Sequence, residues 1–214
     1  MKKIIDIYKE CKIMGNLVQH QMRTAAVAMQ VCESFDGNID KENIIKACLL
    51  HDMGNIIKFN LTKFPEWNNP EGGDYWETVK KEYISKYGNN EHHASLEIAK
   101  EIGLSDRIID LIECVDSSSV ENIKIGSDFG EKICIYADNR VSPHGIVSTE
   151  ERSIEAKERY KDHSHTFNEE KRIFFSENIN EIEKQIFSHT KIQPEDINDD
   201  SIKEYLEKLE NIEI

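Results

Sequence analysis

Apolar residues recur every three or four positions along most of this chain, which is the spacing of one face of an α-helix. Strict alternation of apolar and polar residues, which is typical of a half-buried strand, is scarce. A helix is predicted to begin after Asp40, a favoured N-cap residue, and to run to about Asp52. We therefore predict an all-α fold. The other predicted helices cover residues 3–13, 16–34, 75–87, 91–102, 105–115, 127–139, 149–187 and 195–212.

Two breaks and one shift in composition divide the chain. Prolines and glycines crowd residues 55–75, which predicts an irregular loop, and three serines at 117–119 mark a second break. Charged residues dominate from residue 149 onward. We predict a helical core over residues 1–145 and a C-terminal helical extension over residues 146–214 that packs on it.

One helix violates its own apolar pattern. The run from Ile44 to Leu50 ends in His51 and Asp52, where a helix entering a core is expected to carry Leu or Ala. Gly54 follows as a helix stop signal. A buried Asp in the last turn faces the negative end of the helix dipole, which disfavours an anion. This site therefore needs a cation, and a divalent metal bound by both side chains is the most economical one.

Two more polar residues stand where apolar ones are expected. His20 shares a helical stripe with Leu17, and Asp138 ends the apolar run 133–137. A single His on an apolar stripe is more often a hydrogen-bonded core residue, and Asp138 has the alternative of capping the next segment or pairing with Arg140. Together with the His-Asp pair, however, they form a candidate set of two imidazoles and two carboxylates.

The chemistry of this donor set indicates the kind of metal. Closed structural zinc sites usually use thiolates. Two His and two Asp suit one six-coordinate Mn, Fe, Co, Ni or Mg ion with two positions open, and Zn is also compatible. Such an ion lowers the pKa of bound water and orients a phosphoryl oxygen, which is the chemistry of phosphoester hydrolysis.

Charge limits the partners. The 214 residues include 27 basic and 41 acidic side chains, a net charge of −14, which disfavours a broad nucleic-acid surface. The negative net charge does not exclude a small phosphorylated substrate, because a bound metal and a few nearby cations can make the electrostatic potential inside a pocket positive. Five scattered cysteines without a C-x-x-C motif predict reduced thiols in a cytoplasmic protein. With no apolar run of about 18 residues and no secretory signal, a membrane segment is not expected.

The order of the candidate ligands resembles the HD-domain superfamily of metal-dependent phosphohydrolases, over residues 20–138. The segment His20-Gln21-Met22-Arg23 is similar to the family's H-x-x-R start, residues 49–54 to its HD helix end, and residues 136–140 to its A-D segment. The resemblance implies an all-α HD bundle and hydrolysis of a phosphomonoester or nucleotide through a metal-activated water. Asp52 would then act in catalysis as well as in metal binding, and a homodimer would be common for the family.

Two neighbouring histidines open a predicted helix. His92 is predicted to face inward as a proton donor or phosphate ligand. His93 is predicted to be more exposed to solvent and to contact the substrate. The alternative is a surface pair at a helix N-terminus. Some HD enzymes carry extra histidines here and bind a second metal, but residues 111–116 contain no His, so one metal is favoured.

Three cations are further candidates. Arg23 lies one turn after His20 and would orient a ligand or contact phosphate; Lys58 and Arg140 would bind the substrate phosphate. Solvent exposure or a surface salt bridge is the alternative for each.

Three aromatic residues complete the candidates. Trp67, Trp76 and Tyr75 would stack on a nucleobase or seal an edge of the core.

Other functions stay open from the residues alone. One is a metal-binding regulatory or sensor module with little turnover, and another is a helical interaction protein without metal. His163 and His165 are an opportunistic metal binder or plain surface. A Ser or Cys hydrolase is a weaker alternative, because no G-x-S-x-G motif occurs.

Overall fold

The computed structural model describes residues 2–159 and 169–214, and these form an all-α fold as predicted. His163 and His165 lie outside the described residues. Short 3-10 helices cover Asn55–Lys58, Pro65–Asn68, Ser117–Ser119 and Pro194–Asp196. The α-helices are α1 (Ile4–Glu10), α2 (Gly15–Ser34), α3 (Lys41–Leu50), α4 (Gly73–Tyr87), α5 (Glu91–Ile102), α6 (Asp106–Glu113), α7 (Val120–Ile125), α8 (Phe129–Asp138), α9 (Thr149–Arg159), α10 (Glu169–Phe187) and α11 (Lys203–Leu209).

Small differences from the predicted elements have local causes. Helix α7 and an antiparallel hairpin of β1 (Val141–Ser142) and β2 (Gly145–Ile146) were not predicted. The last helix begins at Lys203 rather than near residue 195, because the Asn198 side chain accepts hydrogen bonds from the backbone N–H groups of Asp200 and Ser201. That turn competes with helix for the same backbone donors.

The predicted start of α3 is confirmed, but its end differs. Asp40 accepts a hydrogen bond from the backbone N–H of Asn43, as an N-cap does. The helix ends at Leu50, and the chain continues through a turn into the 3-10 helix that starts at Asn55. Gly54, predicted as the helix stop signal, lies four residues beyond the end of α3 and has φ −90°, so it does not end the helix through a left-handed cap. The His-Asp pair consequently lies in a turn, just past the end of α3.

Helix α2 lies at the centre of the bundle and packs against α3, α8 and α11, while α3 also packs on α6 and α8. Small and branched side chains of α2, including Ala25, Ala28 and Val31, are buried in this core. The elements after residue 145 pack on this core: α10 lies on α7 and α8, and α11 on α2. The division at residue 145 itself stays a prediction. Within residues 2–159 and 169–214, no helix is both long and apolar enough to cross a bilayer.

Candidate metal centre

Helix α2, the turn that follows α3, and helix α8 bring four polar side chains close together. The Nε2 atom of His20 lies 2.9 Å from Oδ1 of Asp138 and 3.5 Å from Oδ2 of Asp52. The Nε2 atom of His51 lies 3.4 Å from Oδ1 of Asp138 and 3.6 Å from Oδ1 of Asp52. Ligand atoms of His20, His51 and Asp52 all lie within 4.8 Å of one another. The residues selected from the sequence as candidate ligands are therefore neighbours in the fold.

The hydrogen bonding of His51 fixes which nitrogen is available to a metal. Its Nδ1 lies 2.9 Å from the carbonyl oxygen of Cys48. Because a carbonyl only accepts, Nδ1 carries the hydrogen, and in the neutral imidazole the lone pair is on Nε2. That Nε2 is buried and has no hydrogen-bond partner among the described residues. A buried lone pair facing two carboxylates fits a divalent cation, which would satisfy all three groups.

Electrostatics in the cluster also favour a cation. Burial lowers the pKa of His51, but the charges of Asp52 and Asp138 outweigh it and raise the pKa to about 9. Burial raises the pKa of Asp138, but its hydrogen bond with His20 and the nearby imidazole of His51 hold that pKa well below the usual value. The cluster therefore favours a cation between its carboxylates, and a divalent ion would supply that charge.

Neighbouring side chains hold the turn that carries the ligands. The backbone N–H of Asp52 donates to Oε1 of Gln21, a fully buried side chain, over 3.2 Å. The backbone N–H of Gly54 donates to Oγ of Ser95 over 2.9 Å, and that hydroxyl donates to the carbonyl of Glu91. The turn is thus attached to both α2 and α5. Sequence reasoning assigned Gln21 no role, although its position directly after the candidate ligand His20 indicated that it lies close to the cluster.

The cluster opens into a cavity of about 880 Å³. Arg23, Lys58 and His92 line this cavity together with the candidate ligands. The Nε2 atom of His92 is buried and has no hydrogen-bond partner among residues 2–159 and 169–214. Asp116 lines the same cavity; burial raises its pKa, but hydrogen bonds from Ser118 and the positive charges of His92 and Lys58 lower it overall.

Aromatic residues occupy one side of the cavity. Trp67 and Phe59 line it, with ring centroids 5.5 Å apart, and Trp67 stacks on Phe64 at 4.2 Å. Trp76 is instead buried, and its indole N–H donates to the carbonyl of Asn68. Of the two tryptophans, Trp67 alone is placed to meet a ligand in this cavity.

Two residues proposed for substrate binding do not reach the cavity. His93 is exposed and lies outside the cavity lining, because it occupies the outer face of α5. Arg140 is buried at 4% exposure, and its guanidinium donates to the carbonyls of Val147, Pro194 and Ile197. These bonds direct Arg140 toward the C-terminal segment, so it holds the fold together rather than facing a substrate.

The structure also brings residues to the cavity that sequence reasoning missed. Helices α9 and α10 form one of its walls, whereas sequence reasoning gave these two helices no part in the site. The spacing of Arg152, Ala156 and Arg159 on one helical face was the available signal. The residues of the two helices that line the cavity are Thr149, Arg152, Ser153, Ala156, Lys157, Arg159, Glu169, Arg172, Phe175, Ser176 and Ile179.

Comparison with known families agrees with the fold and the cluster. The model of the HD domain matches residues 17–137, which include His20, His51 and Asp52 and end one residue before Asp138. The comparisons with curated proteins and with solved structures returned no match. Since the matched segment is more than half of the chain, this protein belongs to the HD domain family.

Proposed function

We propose that this protein is a metal-dependent phosphohydrolase that uses one divalent ion to hydrolyse a small phosphomonoester or a nucleotide. The HD domain family consists mostly of metal-dependent phosphohydrolases, which supports the reaction class. The observation that carries the proposal is the convergence of two imidazoles and two carboxylates at the base of an open, partly cationic cavity. Neither feature alone implies phosphoester chemistry.

His20, His51, Asp52 and Asp138 would hold the ion, which is Mn, Fe, Co, Ni, Mg or Zn by the chemistry of the donors. When bound, it supplies a Lewis acid for a phosphoryl oxygen and lowers the pKa of coordinated water.

The chain's own residues provide the remaining functions. Arg23 and Lys58 line the cavity and would bind phosphoryl oxygens, which carry the negative charge of the substrate. His92 would donate a proton to the leaving oxygen. A bound substrate of this kind is the partner that we propose.

Phosphate release from a panel of phosphomonoesters and nucleotides tests the proposal. The full chain is stripped of metal, reloaded with Mn²⁺ and compared with Asp52→Asn, which keeps the side-chain shape but removes the charge. We expect turnover by the wild type and a loss of at least about 100-fold in the variant, since a metal ligand and its charge are removed. The exposed substitution Glu204→Gln on α11 serves as the control and should keep the wild-type rate.

Two results would contradict the proposal in different ways. About one equivalent of bound metal with no turnover of any substrate would indicate a regulatory or sensor module. Less than about a tenth of an equivalent after reloading would indicate a helical interaction protein without metal.

A further inference from the structure

Helices α9 and α10 form a wall of the cavity, although they lie outside the residues matched by the HD domain model. Hydrogen bonds join the two helices: Oγ of Ser153 lies 2.8 Å from Oγ of Ser176, and Oγ1 of Thr149 lies 3.0 Å from Oδ1 of Asn180. The lining residues repeat at helical spacing, so each helix presents one face to the cavity. This wall is therefore specific to the C-terminal part of the chain.

Charge is segregated on this wall. The basic side chains of α9 line the cavity, whereas its acidic side chains do not. Those that line it are Arg152, Lys157 and Arg159, and those outside the lining are Glu150, Glu151, Glu155 and Glu158. Helix α10 contributes Arg172 and one acidic residue, Glu169, to the lining. A chain with a net charge of −14 thus concentrates cations on one side of this cavity.

These cations are held in place by shared carboxylates. Oε2 of Glu155 lies 2.5 Å from Nη1 of Arg152, and Oε1 of the same residue lies 2.8 Å from Nε of Arg159. Glu169 pairs with Arg172 and, at 3.3 Å, with Lys157. Each of these two carboxylates therefore forms ion pairs with two cations. Such sharing fixes the guanidinium groups in position while leaving the wall positively charged.

Two of the guanidinium groups are mostly buried and keep one N–H donor without a hydrogen-bond partner among the described residues. The side chains of Arg152 and Arg172 are 16% and 18% exposed. The Nε–H of each is buried and has no hydrogen-bond partner among the described residues. Burial of a charged donor is costly unless an anion or acceptor compensates it. A planar guanidinium fork is the group that best matches the oxygens of a phosphate.

We propose that Arg152 and Arg172 form an anion subsite for a second phosphate group of the substrate, so that the enzyme acts on molecules carrying two phosphate groups. The inference rests on the proposed function, in which the metal ion, Arg23 and Lys58 bind the phosphate group that reacts. Arg152 and Arg172, on the wall formed by α9 and α10, would receive the second phosphate. The cavity volume of about 880 Å³ admits a nucleotide-sized ligand that spans both regions.

Substrate selectivity tests the subsite. With the Mn²⁺-loaded full chain, kcat/KM is measured for the 5′-monophosphate, the 5′-diphosphate and the 3′,5′-bisphosphate of one nucleoside. We expect one of the two doubly phosphorylated substrates to exceed the monophosphate by about tenfold or more, about 1.4 kcal/mol. Arg152→Gln and Arg172→Gln should each reduce that ratio by about tenfold, chiefly through KM. Lys184→Gln removes an exposed charge from α10 outside the cavity and should keep the wild-type ratio.

Binding without turnover separates the subsite from the proposed function. Calorimetry on metal-free protein compares inorganic tripolyphosphate with orthophosphate as probes. Both Arg→Gln variants should weaken tripolyphosphate binding at least about fivefold relative to Lys184→Gln. If this dependence holds while no phosphoester is hydrolysed, the subsite stands and the hydrolase proposal is wrong. If hydrolysis occurs but neither variant changes selectivity or binding, the subsite is wrong and the hydrolase proposal stands.

A variant that fails to fold would also lose anion binding, so folding is measured separately from binding. Thermal unfolding is measured for each variant, and Arg152→Lys and Arg172→Lys are tested alongside. Lysine keeps the charge but lacks the bidentate fork, so we expect selectivity between that of the wild type and that of the Gln variant. Lys variants that unfold at the wild-type temperature and yet match the wild type in ratio and affinity would show that the arginine geometry does not recognise the anion.

Discussion

Gln21 fixes the backbone of Asp52 without being a candidate ligand itself. Its buried Oε1 accepts the backbone N–H of Asp52, and without it that N–H would lose its partner. We predict that Gln21→Ala lowers metal affinity by about 10-fold or more, the usual effect of removing a group that orients ligands. The measurement is a Mn²⁺ titration of the metal-free protein.

Glu33→Ala is the matched control for Gln21→Ala, because Glu33 lies on the same helix with an exposed side chain outside the cavity lining. It should leave the metal affinity within about twofold of the wild type, within the effect usual for exposed positions. Equal affinities for both variants and the wild type would show that the hydrogen bond to Asp52 does not position the ligands.

Gly54 is required for its size rather than for a left-handed backbone. A Cβ atom at this position would lie 2.7 Å from Cβ of Ala94 and 2.9 Å from the backbone nitrogen of Ser95, in helix α5. We predict that Gly54→Ala lowers the free energy of unfolding by about 2 kcal/mol, as overpacking of a rigid contact does. Thermal or urea unfolding measures the change.

Gly15 is the contrasting glycine. A Cβ atom there meets nothing within 4 Å, and the residue begins helix α2. Gly15→Ala should therefore keep or raise stability, by up to about 1 kcal/mol from helix propensity. If Gly15→Ala lost as much stability as Gly54→Ala, the contact between residue 54 and α5 would not explain the loss in Gly54→Ala.

At the scale of elements, the start of α8 determines how firmly the helix that ends in Asp138 is held. Asp128 caps α8 by accepting the backbone N–H of Gly130, and it pairs with Arg107 of α6 at 2.7 Å. We predict that Asp128→Ala costs about 1–2 kcal/mol of unfolding free energy, since both the cap and the pair are lost. Asp128→Asn keeps a capping oxygen and should cost only about 0.5 kcal/mol.

The pH dependence of the same contact has a defined sign. Burial raises the pKa of Asp128, but the hydrogen bond and charge of Arg107 and the backbone N–H of Gly130 lower it overall below the usual value. A lowered pKa means that the stabilisation is present above the unfolded pKa of about 3.9 and is lost as the pH falls further. The stability difference between wild type and Asp128→Asn should thus shrink between about pH 5 and pH 3. A difference that stays constant over this range would contradict the ion pair's contribution.

At the scale of the whole molecule, the N-terminal and C-terminal segments are joined. The backbone N–H of Lys2 donates to the carbonyl of Ile214 over 3.1 Å, and that of Ile4 to Ile212 over 3.0 Å. Arg140 connects the end of α8 to the carbonyls before α11. These contacts make the extension part of the structure that supports the candidate metal centre.

We therefore predict that the full chain unfolds in one cooperative transition, which Mn²⁺ shifts as a whole. At about 100 times the dissociation constant, the ion should add about 2.7 kcal/mol to the free energy of unfolding. Calorimetry of metal-free and Mn²⁺-loaded protein provides the measurement, and Asp52→Asn, which should show little shift, is the control. Two separate transitions, of which the metal moves one, would indicate that the extension folds independently of the core.

The sequence by itself determined the helical fold and the four candidate ligands. His51 and Asp52 interrupt an apolar run, and Asp138 ends one, so each violates a pattern that extends over only a few residues of the chain. Such local violations are visible without any knowledge of packing, because helical periodicity predicts which side chain should be apolar.

Only the tertiary structure decided which cations surround those ligands. Arg140 and Arg152 are both basic residues near helix ends, yet one is bound to backbone carbonyls and the other lines the cavity. Gly54 likewise differs from its predicted role because helix α5 packs against it. The direction of a long side chain depends on which distant element lies beside it, and spacing along the chain does not contain that information.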